Sequence, residues 1–236
     1  MPINALMSAC MSKMHTPIYN HRLRVLLDAI IPHIKAGDRV VDVGCGNGTL
    51  AAAIAEDPRT PEGVTVMGLE RYPRGGEPIE VIGYDGTRFP FDDNAIDVVI
   101  VADVLHHEPE PDHLADECAR VAGRHLIVKD HQTKGMLAQQ RISLLDWAAN
   151  APYGVPCLYR YLSPEQWVGF SERLGMTPVK VHDGMRIYPF PFEQFLGGSL
   201  HYMAVLSKLD SAGMPAGRQT PPGHLDAHAN HGEDPA

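Results

Sequence analysis

The chain is short of positive charge, has no long apolar run, and shows neither paired cysteines nor an internal repeat. Its 20 Lys and Arg stand against 29 Asp and Glu, for a net charge of −9. That balance leaves little cationic surface to neutralise a phosphate backbone, which argues against a nucleic-acid partner. Part of the excess is local: beyond Leu209, Asp210, Asp226, Glu233 and Asp234 face Arg218 alone. The four cysteines, Cys10, Cys45, Cys118 and Cys157, are far apart with no C-x-x-C. Neither a zinc framework nor a disulfide scaffold is therefore expected, and a reducing cytoplasm suits the chain. The apolar runs fall well short of the roughly 18 residues that span a bilayer, so no integral membrane segment is expected. The first residues lack a basic region followed by an apolar core, so no signal peptide is expected, and Met11 and Met14 are alternative starts.

What is present suits one globular domain with a tail: 236 residues, 44% hydrophobic and 21% charged. Residues 1–16 show no period and are expected to be flexible. Leu23, Leu26, Leu27, Ile30 and Ile31 make an amphipathic stripe over 17–34, disturbed at its end by Pro32. Residues 39–55 then give a buried strand (RVVDV), a turn with glycines at alternate positions (GCGNG) and a helical run (TLAAAIA). Further strands are expected at 64–70, 79–84, 95–102 and 125–129. A helix capped by Asp112 is expected over 112–121, another around 134–149, and a third from Pro164 behind the cap Ser163. Two closing strands, 176–182 and 200–207, are joined by an aromatic segment at 188–192. Alternation of this kind predicts an α/β fold with a doubly wound, mostly parallel sheet. Residues 209–236 are expected to be a disordered tail, whose His224, His228 and His231 are read as solvated.

A strand, a glycine turn and a helix in succession bring bare N–H groups to the carboxyl end of a strand, where open α/β sheets bind ligands. The spacing here is G-x-G-x-G (Gly44, Gly46, Gly48, with Cys45 in the turn) behind Asp42, and differs from the dinucleotide pattern G-x-G-x-x-G. Glu70 ends the second strand, where a carboxylate accepts from ribose hydroxyls, and Arg71 beside it keeps a nucleotide phosphate in play. Asp85-Gly86 ends the third strand, where Asp85 is placed for an adenine amino group and Tyr84 or Phe89 for the base. Acids at three successive strand ends favour a cationic ligand over a phosphate-bearing one.

These residues, with the phrase YDGTRFPFDDNAIDVVIVADVLHHEPEP, resemble the class I S-adenosylmethionine-dependent methyltransferases over about residues 38–130. They are most similar to the branch with the ubiquinone and menaquinone biosynthesis enzymes. The resemblance implies a Rossmann-like seven-stranded sheet over 17–208, with 131–162 as a substrate cap. It also implies S-adenosylmethionine as cofactor: Asp85 and Gly86 at adenine, Glu70 at the ribose, Gly44, Gly46 and Gly48 along the methionine portion, Asp42 orienting turn and amine. Ala102 would line the methyl-transfer channel. A small-molecule or lipid-like acceptor is expected.

Methyl transfer is chiefly a matter of alignment, with a base required only for some acceptors. Candidates at the strand ends are His106, His107 and Asp103 after the fourth strand and His131 after the fifth, with Asp130 as a partner for His131. Adjacent residues alone do not make a metal site, so none is expected. Trp147, Tyr153, Tyr159, Arg160 and Tyr161 furnish the cap, Trp147 being read as core and Arg160 as an anion holder. His15 and Tyr19 are read as an N-terminal lid. Two rivals stand beside this reading: an NAD(P)-dependent oxidoreductase on a similar sheet, and a non-catalytic module with the same fold.

Overall fold

The apolar strands assemble into one seven-stranded sheet in the order β3-β2-β1-β4-β5-β7-β6. These are β1 (Arg39–Val43), β2 (Thr65–Glu70), β3 (Val81–Gly83), β4 (Ile96–Ala102), β5 (Ala122–His131), β6 (Thr177–Met185) and β7 (Gly198–Ser207). The helices are α1 (residues 18–30), α2 (Thr49–Glu56), α3 (Pro111–Val121), α4 (Ala138–Asn150), α5 (Pro164–Arg173) and α6 (Phe192–Leu196). This is a computed structural model, and it describes residues 18–150 and 157–208. The expected flexible segment 1–16, the tail 209–236, His15 and Tyr153 lie outside the described residues. Strands β1 to β5 pair in parallel, while β7 runs antiparallel to both β5 and β6.

Side chains alternate between the two faces of the strands, so each face carries its own core. Val40, Val98, Ile100 and Ile127 pack against Leu26 and Ile30 of α1 and Ile54 of α2. On the other face Val41, Val99, Val101 and Leu126 meet Leu114 and Cys118 of α3 and Trp167 and Phe170 of α5. Helices on both faces explain why β4 reads as an apolar run from Val98 to Ala102. Each fully buried Val, Ile or Leu there contributes roughly 1.5–3 kcal/mol. Chain order reverses at β1, which has β2 on one side and β4 on the other. Open α/β sheets bind ligands in the crevice at such a point, outside the carboxyl ends of the strands.

The expected elements are present with shifted ends. β3 has three residues, because it pairs only with Gly68–Glu70 before β2 ends. α3 starts at Pro111, with Glu110 rather than Asp112 in the cap position. The capping of α5 is as expected: Gln166 N–H donates to Ser163 Oγ, and the Gln166 side chain accepts from Ser163 N–H. α4 starts at Ala138 instead of 134, since Gly135 and Leu137 have positive φ. α6 follows the aromatic segment and was not expected. Trp147 is 55% exposed instead of core, because the buried stripe of α4 is Ala138, Ile142 and Asp146, which turns the next residue outward. Among the described residues, no helix is long and apolar enough to cross a membrane.

Candidate active site

The glycine turn after β1 is built for close approach. Gly44, Gly46 and Gly48 all have positive φ, at 66°, 58° and 73°. A Cβ at Gly44 would stand 2.7 Å from the Val104 side chain, so this glycine lets the turn pack on the loop after β4. A Cβ at Gly46 would meet nothing within 4 Å, so the space over the turn is open. Glu70 reaches back from the end of β2: its Oε2 accepts from Gly46 N–H at 2.9 Å and its Oε1 from Arg71 N–H at 2.8 Å. Cys45 packs its sulfur against Gly68. Burial, with Asp42 and Glu70 nearby, pushes its thiol up to about 12, so it is a packing group and no nucleophile at neutral pH.

Asp42 lies buried in β1, paired in register with Gly68 of β2 and Ile100 of β4. Burial raises its pKa to about 7, with Arg22 opposing and Glu70 adding to the shift. Its carboxylate is thus neutral for the most part below that pH and anionic above it. A ligand whose ammonium is drawn by the anion should bind more tightly as pH rises from 6 to 8. The gain is at most about tenfold for one linked proton. Calorimetric titration with S-adenosylhomocysteine across that range should show it, and Asp42→Asn should flatten it.

Beyond β3, Asp85 Oδ1 accepts from Thr87 N–H, Thr87 Oγ1 and Arg88 N–H, while none of these bonds uses Oδ2. Arg71 folds across Gly86, donating to its carbonyl at 3.1 Å and facing Glu108 at 3.6 Å. Arg71 Nε is buried without a hydrogen-bond partner. Tyr84 and Phe89 meet edge to face with ring centres 5.1 Å apart. Arg71, Tyr84, Gly86, Phe89 and Glu108 line a cleft of about 220 Å³.

At the ends of β4 and β5 the structure ties several candidates together. Asp103 has a positive φ of 57° and is held by Lys129 of β5 and by Arg22 of α1, the latter at 2.5 Å. Burial opposes its ionisation, but the Lys129 and Arg22 cations outweigh it and hold the carboxyl well below the usual range. Ala102 ends β4 in register with Lys129. Asp130 pairs with the ring of His106 rather than that of His131, Nδ1 to Oδ1 at 2.5 Å, and accepts the His131 backbone N–H at 2.6 Å. Burial works against charge on His106, but Asp130 overrides it and raises the pKa.

The His107 ring lies tilted against that of His106, with ring centres 4.0 Å apart. His131 is in register with His201 across β5 and β7, and their rings lie 4.9 Å apart. Burial, then Lys129, drives the pKa of His131 well below its ordinary value, and its Nδ1 has no hydrogen-bond partner. Tyr161 completes the group, its hydroxyl donating to Asp146 of α4 at 2.6 Å. Arg160 donates to the Pro109 carbonyl at 3.1 Å, and Tyr19 is 38% exposed. Sequence reading missed Asp146, Arg22 and His201. Only Asp146 left a trace there, as a charged residue in phase with Ala138 and Ile142.

The site suits S-adenosylmethionine on its own geometry. The open space over Gly46, with Glu70 on its N–H and Asp42 near Glu70, suits a cationic ligand, and the partnerless Arg71 Nε lies beside Gly86. Comparison with known proteins agrees. Residues 41–125 match the methyltransferase domain family. The 27-O-demethylrifamycin SV methyltransferase of Amycolatopsis mediterranei is 34% identical over 113 residues, 42% of this chain and 40% of that one. The demethylmenaquinone methyltransferase of Clavibacter sepedonicus is 31% identical over 106 residues, 42% of this chain and 43% of that one. The chain thus spans about two fifths of the length of these curated relatives. Among solved structures, an S-adenosylmethionine-dependent methyltransferase of Thermotoga maritima, described as a possible histamine N-methyltransferase, superposes with a TM-score of 0.59. It is 16% identical, with 85% of this chain and 96% of that one covered, a likeness of fold. The family match runs from β1 into β5, over the same strands and turns that shape the crevice, and that part of the chain is similar to methyltransferase domains.

Proposed function

We propose that the chain transfers the methyl group of S-adenosylmethionine to a small-molecule or lipid-like acceptor. The observation that carries this reading is the open glycine turn at Gly46, whose N–H is held by the Glu70 carboxylate. S-adenosylmethionine supplies a methyl group on a positively charged sulfur, ready for in-line displacement. Glu70 takes the ribose hydroxyls, Asp85 and Gly86 hold adenine, and Arg71 lies against the base. Gly44, Gly46 and Gly48 border the methionine portion, Asp42 faces its amine, and Ala102 lines the path of the methyl group. Alignment by these residues is the main source of rate.

The acceptor lies under the cap 131–162, against the rings of Tyr161, His107 and His131. Where its nucleophile is a hydroxyl, His107 and His131 are the candidate imidazoles to receive the proton, and burial beside Lys129 disfavours the charged form of His131. His106, backed by Asp130, positions that wall of the site. The scattered thiols Cys45, Cys118 and Cys157 suit a cytoplasmic enzyme.

Calorimetry with S-adenosylmethionine, S-adenosylhomocysteine and NAD(H), followed by turnover on an acceptor panel, tests the proposal. Both sulfur ligands should bind, and Glu70→Ala should weaken S-adenosylhomocysteine severalfold. Tight NAD(H) binding with no heat from either sulfur ligand would overturn the reading in favour of an oxidoreductase. Cofactor binding without turnover across the panel would leave a binding module in place of an enzyme.

A further inference from the structure

Beneath α4, three side chains from two distant stretches aim ligand atoms at one spot. His106 Nε2 lies 3.9 Å and His107 Nε2 3.7 Å from Asp146 Oδ1. One ligand atom from each of the three residues lies within 4.8 Å of the others. These separations are too long for hydrogen bonds. They come close to the roughly 3–4 Å between neighbouring ligand atoms around a metal with bonds near 2.0–2.2 Å.

The far side of two of these groups is tied down as metal ligands usually are. His106 Nδ1 meets Asp130 Oδ1 at 2.5 Å, and Asp130 Oδ2 also accepts the His106 backbone N–H at 3.3 Å. With its proton on Nδ1, the ring turns the Nε2 lone pair toward Asp146. Asp146 Oδ2 accepts from the Tyr161 hydroxyl at 2.6 Å, and its Oδ1 accepts from Asn150 Nδ2 at 2.8 Å, leaving a second lone pair on that oxygen. The contact between this nitrogen and the carboxylate oxygen accommodates a positive charge between them, carried by a proton or by a metal ion. His106 and Asp146 are both under 5% exposed, while His107 is half-buried and gives the cluster its side toward solvent.

We propose that His106 Nε2, His107 Nε2 and Asp146 Oδ1 bind a divalent transition-metal ion. Two imidazoles and one carboxylate suit zinc and its first-row neighbours, whereas magnesium and calcium prefer all-oxygen sites. Three protein ligands leave a coordination position open, as in sites that also take a substrate or water. The ion would clamp α4 to the turn after β4 and so hold the roof over the site. This inference is independent of the methyl-transfer reading.

The test is titration of metal-free full-length protein with Co²⁺, read by its visible absorption, then displacement by Zn²⁺, with S-adenosylhomocysteine binding measured on the same samples. One site should fill with a spectrum of nitrogen and oxygen ligation. Asp146→Asn and His107→Ala should each weaken Co²⁺ binding by about 100-fold, and Tyr161→Phe by about tenfold. Substituting His224, His228 and His231 together by Ala should leave it unchanged. Retained S-adenosylhomocysteine binding shows that a variant is folded, and should Asp146→Asn fail that check, His107→Ala at the half-buried edge decides. Failure of the wild-type protein to bind Co²⁺, binding unmoved in a folded His107→Ala or Asp146→Asn variant, or binding lost with the three tail histidines would overturn the proposal. Loss of S-adenosylhomocysteine binding alone would count against the methyl-transfer reading and leave the metal site standing.

Discussion

Gly46→Ala is expected to cost about 100-fold in S-adenosylhomocysteine affinity while leaving the fold intact. The two effects separate because of where the new Cβ would stand. No protein atom lies within 4 Å of it, so packing is undisturbed and the cost to stability is backbone strain at a φ of 58°. That strain is about 1–2 kcal/mol, which lowers the melting temperature by only a few degrees in a domain of this size. The methyl group does, however, stand in the open cradle over the turn, where the proposed ligand must approach the backbone. Gly44→Ala should behave in the opposite way, with a larger loss of stability, because its Cβ would press on Val104 at 2.7 Å. Calorimetry and thermal melts on the two variants check this. Unchanged affinity in Gly46→Ala would mean that the ligand does not lie on the turn.

Asp103→Asn should be the most destabilising single change near the site, at about 3–5 kcal/mol. The carboxylate neutralises two cations at once: Lys129, 1% exposed, and Arg22. Removing the anion leaves both charges together, with only the more distant Asp130 beside Lys129 and Asp42 beside Arg22 to offset them. Asparagine is a fair probe because it tolerates the left-handed backbone that Asp103 adopts. Adding Lys129→Met should recover a good part of the loss, since a single cation then remains against a neutral amide. Urea unfolding of the single and double variants measures both effects. If Asp103→Asn keeps its stability and loses only turnover, Asp103 acts on the acceptor instead of anchoring α1 and β5 to the site.

The glycine turn after β1 was legible along the chain because its signals are local. Alternate glycines demand positive φ, and the turn they make lies between a strand and a helix that the sequence announces by period and propensity. The position of Glu70 at the end of β2 was legible for the same reason, while β3 stops at Gly83, two residues short of Asp85. The parallel order of β1 to β5 followed from alternation with helices. Element ends were less legible: α4 starts late because Gly135 and Leu137 adopt positive φ, and β3 is cut short because its one partner ends.

The other half of the site was decided by tertiary structure. Asp130 was read with its neighbour His131, but successive residues in a strand face opposite ways, and the carboxylate meets the ring of His106 instead. His131 and His201 share a face because β7 enters antiparallel beside β5 in one particular register. Lys129, Asp103 and Arg22 meet because α1 packs across the ends of β4 and β5. Asp146 meets His106 and His107 through the rotational phase of α4, which buries one stripe and turns Trp147 outward. The sequence by itself determined which strand ends carry acids and where the backbone bends to receive a ligand, since these depend on residues a few positions apart. Which imidazole faces which carboxylate was settled only by strand order, register and helix phase, which bring together side chains far apart in the chain.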